Sequence, residues 1–285
     1  MKKNINKGDY DYLHKALGIG LYFLSKKENK SSINIEYLLI KLERNAERDL
    51  NGLKWKSFNQ QENKEVYNLS LSHGIASIIT FISQIYKNSI AVNNRTNKLL
   101  CEAVSFLLAC KSIVPNSYNG SFFPSYVSAN DGINKSGSRL AWCYGDLGIG
   151  IALWQASQVL LNKEWAKIAI DVLLQTTLRQ DPNKEHVIDA GFCHGSSGIA
   201  HIYNRMYQYT GNNAFKEAAI YWINDTLSKA TFSNGLAGYK AWHLPEHGGW
   251  VNESGLLEGI AGIGLVLLST ICEIEPKWDE CFLLS

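Results

Sequence analysis

The sequence of 285 residues lacks any uninterrupted apolar run of the roughly 18 residues that a membrane-spanning helix needs. No apolar stretch follows the basic start of the chain, so we expect no signal peptide and a cytoplasmic location. The 28 basic and 26 acidic residues leave a net charge of only +2, and the basic residues are scattered, which argues against nucleic-acid binding. Because 46% of the residues are hydrophobic, the chain is not intrinsically disordered.

Proline is scarce, with 5 residues, and strictly alternating β-branched runs are few. Apolar residues instead recur at the spacing of an α-helix in eight segments. These segments are residues 19–24, 72–85, 99–109, 148–161, 165–178, 197–209, 214–227 and 256–272. The sequence therefore predicts an all-α fold.

A short glycine-containing motif opens five of the helical segments. Its copies lie 50 to 71 residues apart, at residues 15–20, 74–77, 145–150, 195–198 and 259–264. Each interval has room for two helices, and close packing of the helix starts would give a reason for glycines that cost about 1 kcal/mol each inside a helix. Helical hairpins repeated around an axis form an α/α toroid, a double-layered ring. The irregular intervals disfavour the alternative, an open α-solenoid.

Reactive side chains stand one or two residues ahead of the first glycine in three of the five copies. They are His73, Cys143, Cys193 and His194. If the copies are structurally equivalent, these side chains lie at one end of the ring and face one pocket. In a reducing compartment the other cysteines are expected to be small apolar residues, not disulfide partners: Cys101, Cys110, Cys272 and Cys281.

Two cysteines and one histidine supply three zinc ligands and leave a fourth coordination position open. Thiolates and imidazoles suit zinc better than magnesium or calcium. We therefore predict one catalytic Zn²⁺ on Cys143, Cys193 and His194, with a packed core cluster as the alternative. Sulfur-rich ligation favours thiol alkylation or addition over hydrolysis, because a thiol that arrives at the open position is acidified and stays nucleophilic.

At these residues the sequence resembles the lanthionine synthetase C-like family, whose cyclases close thioether rings in lanthipeptides. The matching stretches extend over nearly the whole chain: Asp9-Tyr10-Asp11-Tyr12, Ser72-His73-Gly74-Ile75-Ala76, Trp142-Cys143-Tyr144-Gly145-Asp146, Cys193-His194-Gly195 and Leu257-Glu258-Gly259-Ile260-Ala261-Gly262. Each glycine motif is common by itself, whereas the combination is highly specific. We accordingly interpret residues 1–285 as a single domain of this type.

The resemblance implies an α/α toroid with one Zn²⁺ on the three ligands named above. It implies catalytic roles for His73 as general acid or base, for Asp11 as its helper and for Arg139 as a group that steadies an enolate. The implied reaction is the Michael-type addition of a peptide Cys thiolate to dehydroalanine or dehydrobutyrine, which gives lanthionine or methyllanthionine. The implied partners are a dehydrated precursor peptide, a dehydratase and a membrane transporter that would hold the cytoplasmic protein peripherally at the membrane.

Two features depart from the family pattern. Only eight residues precede Asp9, whereas many members carry a longer N-terminal portion. A ring without its first hairpins is therefore an alternative to a complete toroid, and leader-peptide binding stays open. Lys15 stands where the family usually has glycine, and it would either attract an anion or crowd Asp11.

Two other functions stay open at this point. One is a relative that adds glutathione to dehydroamino acids in damaged proteins, and the other is a shortened, non-catalytic binding or scaffold protein. His243 and His247 have a spacing that mimics a second metal site, although Pro245 between them indicates a loop. Trp242 and Trp250 are candidates for lining the pocket mouth and gripping a peptide.

Overall fold

The chain folds into paired helices, and the computed structural model describes residues 1–6, 9–26, 29–60, 62–90, 92–117, 119–129 and 137–285. The helices are α1 (Lys2–Ile5), α2 (Ala16–Lys26), α3 (Asn29–Asn45), α4 (Ile75–Lys87), α5 (Asn94–Ala109), α6 (Asp146–Val159), α7 (Lys163–Thr176), α8 (Ser196–Thr210), α9 (Asn213–Ser228) and α10 (Ile260–Ile271). Two 3₁₀ helices follow late in the chain, Pro245–His247 and Lys277–Phe282. Within these described ranges, no helix is both long and apolar enough to cross a bilayer.

The helices form two layers. Helices α2, α4, α6, α8 and α10 make the inner layer, and α3, α5, α7 and α9 each pack outside the inner helix that precedes them. Helix α4 is buried over all of residues 75–85, and α6 and α8 are buried almost as completely, whereas the outer helices bury one face. Inner helices also pack on one another, with α2 on α4, α4 on α6 and α8 on α10. This is the arrangement of hairpins that the motif repeat predicted.

Each inner helix follows a turn of seven residues, which we call its lead-in turn: residues 9–15, 68–74, 139–145, 189–195 and 253–259. In the turns that end at Gly74, Gly145 and Gly259, the carbonyl oxygen of the first residue lies only 2.1–2.5 Å from where a Cβ would stand on the glycine. Gly145 also has a φ of 94°, which strains any residue with a side chain. Gly150 lets Leu173 of the outer layer approach its backbone. The motif thus serves the turn as well as the close packing that the sequence suggested.

The outer helices begin in a different way. Asn93, Asn162 and Asn212 cap α5, α7 and α9, and their side chains accept a hydrogen bond from a main-chain N–H of the first turn. Helices α4, α6, α8 and α10 begin at a glycine without a side-chain cap. In these seven helices, the inner and outer layers therefore differ in the type of helix start.

Short strands, which the all-α prediction did not include, connect the hairpins. They are β1 (Glu47–Asp49), β2 (Gly52–Lys54), β3 (Lys56–Asn59), β4 (Lys64–Asn68), β5 (Tyr126–Ser128), β6 (Ala241–Trp242) and β7 (Trp250–Val251). All pairings are antiparallel, in the orders β1-β2, β3-β4-β5 and β6-β7. Strand β4 pairs Tyr67 with both Lys56 and Val127 and leads directly into the turn before α4. Strands of two to five residues are too short for an alternating pattern to stand out in the sequence.

Candidate active site

The predicted metal ligands lie together where the lead-in turns of α6 and α8 meet. The ligand atoms of Cys143, Cys193 and His194 all lie within 4.8 Å of one another, and both cysteines are buried. Within the described ranges these three residues form the only such group of histidine, cysteine and carboxylate side chains. Main-chain hydrogen bonds join the turns. The Cys143 N–H donates to the Cys193 carbonyl oxygen at 3.2 Å, and the Cys193 N–H donates to the Leu257 carbonyl oxygen at 2.8 Å.

The electrostatics of this group favour a thiolate at Cys143. Hydrogen bonds from the Cys193 thiol and from His194 hold the pKa of Cys143 well below its usual value despite burial, and Arg139 adds positive charge nearby. The hydrogen bond to Cys143, together with burial, raises the pKa of Cys193. The Cys143 sulfur in turn raises the pKa of His194. The same three ligand atoms that share these hydrogen bonds could bind a divalent cation, which would take the place of the shared protons.

The donor set fits zinc. Two thiolates and one imidazole are soft to borderline ligands that suit Zn²⁺, and three protein ligands leave one position for an exogenous group. Carboxylate and carbonyl oxygens, which magnesium and calcium require, are not among the three donors. The cluster therefore has the composition of a catalytic zinc site.

His73 and Asp11 form a pair from the lead-in turns of α4 and α2. His73 Nδ1 lies 2.6 Å from Asp11 Oδ2, and about a quarter of each side chain is exposed. Burial opposes ionisation of Asp11, but its hydrogen bonds with His73 and with the main-chain N–H of His14 lower the pKa of the carboxyl overall. The α4 turn is fixed beside the metal group because Ser72 Oγ donates to the Cys143 carbonyl oxygen at 3.1 Å.

Two further rings surround His73. The His14 ring stacks on it with centroids 5.7 Å apart, and the Tyr144 ring lies on it at 6.0 Å. Lys15, the departure from the family pattern, places its Nζ atom 3.4 Å from Asp9 Oδ2. The lysine therefore pairs with Asp9, while Asp11 pairs with the imidazole.

Arg139 belongs to a cleft that opens beside the metal group. Its Nη2 donates to the His186 carbonyl oxygen at 3.4 Å. The cleft has a volume of about 520 Å³ and is lined by Arg139, His186, Ile188, His194, Trp242, His243, Leu244, His247 and Glu258. Trp242, which the sequence analysis placed at the pocket mouth, stacks edge to face on Trp250 with ring centroids 5.2 Å apart. Six of these nine residues carry ionisable side chains, and Ile188, Trp242 and Leu244 supply the apolar part of the lining.

Two buried carboxylates brace the turns that carry these groups. Asp189 accepts hydrogen bonds from the main-chain N–H groups of Gly191 at 3.0 Å and Trp242 at 2.8 Å, so it ties the Cys193 turn to the cleft wall. Asp146 accepts one from the Phe122 N–H at 2.7 Å. Burial raises the pKa of Asp146 to about 6, against the effect of this hydrogen bond.

His243 and His247, whose spacing mimics a second metal site, lie in a loop as Pro245 indicated. His243 places Nε2 3.2 Å from Glu258 Oε2, and His247 lies in the 3₁₀ helix that begins at Pro245. The described ranges contain no group of three possible ligands that includes either histidine. Pro245 sets this loop geometry by starting the 3₁₀ turn.

Glu258 and His14 are site residues that the sequence analysis missed. Each occupies the position just before the end of its lead-in turn, as do His73, Tyr144 and His194 in theirs. The rings of His14 and Tyr144 both lie against the His73 ring, and His194 and Glu258 line the cleft together. A comparison of the residue directly before the helix-preceding position in all five motif copies would have identified His14 and Glu258.

Comparisons with known proteins agree with the architecture. Nisin cyclase superposes with a TM-score of 0.75 at 21% sequence identity, over 97% of this chain and 67% of the nisin cyclase chain. A D-mannose isomerase structure superposes with a TM-score of 0.56 at 12% identity, over 93% of this chain and 70% of the other. At these identities the likeness concerns the fold, and the predicted α/α toroid class is confirmed.

The family follows from the sequence as a whole. A family model described as lanthionine synthetase C-like protein matches residues 1–283. That match includes the lead-in turns of all five inner helices and therefore every residue of the candidate site. The chain belongs to the lanthionine synthetase C-like family.

Proposed function

We propose that the protein is a zinc-dependent thioether cyclase that acts as a single domain over residues 1–285. The observation that carries the proposal is the convergence of Cys143, Cys193 and His194 within 4.8 Å, next to the turn that bears the His73–Asp11 pair. The three converging residues would hold the zinc ion. Bound there, zinc would supply the acidification of an incoming thiol.

The reaction that fits these groups is a conjugate addition. The thiolate sulfur of a peptide cysteine attacks the β-carbon of dehydroalanine or dehydrobutyrine, and the C–S bond forms. The electron pair of the C=C bond moves onto the carbonyl group, which becomes an enolate. A proton added to the α-carbon then completes lanthionine or methyllanthionine, and no atoms are lost.

His73 is the residue that we assign to this proton transfer. Its Nδ1 faces the Asp11 carboxylate at 2.6 Å, so proton exchange with the substrate falls to Nε2. The carboxylate on Nδ1 fixes the orientation of the ring, and a histidine side chain held in this way can serve as a general acid or base. We assign Arg139, which lines the cleft with His194, to stabilise the enolate oxygen through its positive charge.

The cleft gives the substrate a place beside the metal ligands. Trp242 and Leu244 provide apolar contact area, and His194 lines the same space. A dehydrated precursor peptide laid in the cleft would bring its cysteine to the open coordination position. A dehydratase that makes this peptide and a transporter that exports it are the further partners, with the protein itself in the cytoplasm.

The test is incubation of the zinc-loaded protein with a synthetic peptide that contains one dehydroalanine and one cysteine. Cyclisation leaves the mass unchanged, so the free thiol is counted by maleimide alkylation and mass spectrometry. We expect the alkylated fraction to fall with time, and to stay at the non-enzymatic level with Cys193→Ala. Formation of a glutathione adduct in preference to a ring, when glutathione is added, would favour the glutathione-adding function. A zinc-loaded protein without any turnover would favour the scaffold function.

A further inference from the structure

The chain after α10 turns into the centre of the inner layer. Main-chain carbonyl oxygens of this stretch accept hydrogen bonds from inner-helix side chains on different sides. Gln155 of α6 donates to Leu283 at 2.8 Å, and Tyr209 of α8 donates to Leu284 at 3.3 Å. Phe282, Leu283 and Leu284 are buried. Residues 277–284, which we call the central segment, therefore lie among the helices whose lead-in turns carry the candidate site.

The central segment contacts the residue just before each cysteine ligand. Trp142, which precedes Cys143, donates from Nε1 to the Phe282 carbonyl oxygen at 2.9 Å, and its ring meets the Phe282 ring edge to face with centroids 5.4 Å apart. Phe192, which precedes Cys193, stacks on the Phe282 ring with centroids 4.2 Å apart and also lies 6.0 Å from the Trp142 ring. One phenylalanine thus links the two turns that supply the sulfur atoms.

The same segment contacts the lead-in turn that carries Asp11. Tyr12, which follows Asp11, donates its hydroxyl hydrogen to the carbonyl oxygen of Cys281. Trp278 lies against the Phe192 ring with centroids 5.7 Å apart. Three of the five lead-in turns therefore place a neighbour of a site residue against this segment.

Two side chains of α8 hold the segment in place through Asp279, a buried carboxylate of the segment. His201 Nε2 lies 2.8 Å from Asp279 Oδ2, and Arg205 Nε lies 3.2 Å from the same oxygen. Asp279 and His201 have no exposed surface. A carboxylate held by two partners on one helix gives the segment a defined position along the centre of the ring.

We propose that the central segment is a positioning element for the metal site, with Phe282 holding the Cys143 and Cys193 turns at the separation that a metal ion needs. The inference rests on the proposed metal site. Ligands on separate turns lose conformational freedom when they converge on one ion, and packing that restrains them beforehand reduces this cost. The segment also places Asp11 through Tyr12, independently of the cysteines.

The test compares metal affinities, not activities. Apo-protein is titrated with Co²⁺, the thiolate-to-cobalt absorption band is recorded, and Zn²⁺ affinity is measured by competition with a chelator. Phe282→Ala is compared with the control Phe215→Ala, because Phe215 of α9 is also buried in the core but packs on Tyr203. We expect Phe282→Ala to weaken zinc binding at least tenfold and to alter the cobalt band, while Phe215→Ala leaves both near the wild-type values.

Phe282→Leu keeps the inference testable if the alanine variant does not fold, and we expect a smaller loss of affinity in the same direction. Tyr12→Phe should leave zinc affinity unchanged and lower kcat for cyclisation. Wild-type zinc affinity in folded Phe282→Ala or Phe282→Leu, or an equal loss in Phe215→Ala, would overturn the positioning role alone. A wild-type chain that binds neither metal would overturn the metal site and the inference together.

Discussion

The main-chain N–H of Cys143 donates a hydrogen bond to the main-chain carbonyl oxygen of Cys193 at 3.2 Å. The two cysteines are therefore brought together by the backbone of their turns, and their sulfur atoms meet because the turns do. Removing one sulfur should leave the turns in place. A substitution of one cysteine can therefore remove a metal ligand without disrupting the fold.

The first prediction concerns metal content. Cys193→Ala should fold and lose most of its zinc, because two remaining protein ligands bind the ion far more weakly than three. Metal analysis of the purified variant should fall from about one equivalent of zinc to near none. Cys101→Ala, at a half-buried cysteine on α5, is the control and should keep its zinc. A variant at position 193 that retains wild-type zinc would remove Cys193 from the ligand set.

The second prediction separates proton transfer from metal binding. His73→Asn removes the imidazole that Asp11 holds at 2.6 Å, and general acid–base groups contribute about 10² to 10⁴ in rate. We expect kcat for cyclisation to fall by about that factor while the zinc content stays near one equivalent. Steady-state rates with a dehydrated peptide check this. An unchanged rate would exclude His73 from the mechanism, and loss of zinc would make its role structural.

The third prediction concerns a buried ion pair behind Arg139. Arg179 Nε lies 3.0 Å from Glu185 Oε2, and its Nη2 donates to the carbonyl oxygen of Ser138, the residue before Arg139, at 2.9 Å. Both side chains are at least 96% buried. Arg179→Met leaves the Glu185 carboxylate buried without its partner and should lower the free energy of unfolding by about 3–5 kcal/mol.

Two variants control this measurement. Replacing Glu185 by Leu in the Arg179→Met background removes the unpaired charge and should recover much of the loss in urea unfolding. Lys167→Met breaks an exposed pair with Asp171 on α7, whose atoms lie 3.0 Å apart, and should cost less than about 1 kcal/mol. Equal effects of Arg179→Met and Lys167→Met would show that the buried pair contributes no more than a surface one.

The fourth prediction is a pH dependence of stability. Burial lowers the pKa of His201 below its usual value, although Asp279 accepts its hydrogen bond, and the nearby Arg205 charge acts in the same direction as burial. Below about pH 6.5 the unfolded chain therefore binds a proton at this residue that the folded chain does not. The contribution of His201 to the free energy of unfolding is therefore fully present above that pH and should fall as the pH drops.

The change attributable to one proton is at most about 1.4 kcal/mol per pH unit. His201→Gln stays neutral at every pH, so the difference in free energy of unfolding between it and the wild type should shrink from pH 7.5 to pH 5.5. Urea unfolding at several pH values measures this difference. Curves of stability against pH that run parallel for the two proteins would contradict the assignment.

Much of the helical layering could be predicted from the sequence, because strong apolar periodicity and recurring glycines report directly on helices that pack on both sides. Helix α3 was missed although Ile35, Leu38, Leu39 and Leu42 are buried with the spacing of a helical stripe. The many polar residues of this helix make its average hydrophobicity low, so the apolar periodicity is weak. The strands are too short to show a pattern.

The convergence of the three candidate ligands could be predicted because the repeat placed Cys143 and Cys193 at equivalent positions, with His194 next to Cys193. The central segment could not, because Phe282 and Asp279 carry no motif and their contacts with Trp142 and His201 join distant parts of the chain. Such contacts depend on the whole fold, and local propensity does not report them. The pairing of Lys15 with Asp9 likewise depends on side-chain placement within one turn.

The central claim is a metal ion that two sulfurs and one imidazole hold with one position left for a substrate thiol. Zinc X-ray absorption spectroscopy of the loaded protein tests it most directly, with and without a cysteine-containing dehydrated peptide. We predict two sulfur neighbours at about 2.3 Å and nitrogen or oxygen neighbours at about 2.0 Å in the free protein, and a third sulfur when the peptide is bound. A first shell of nitrogen and oxygen alone, or a sulfur count that the peptide does not change, would contradict it.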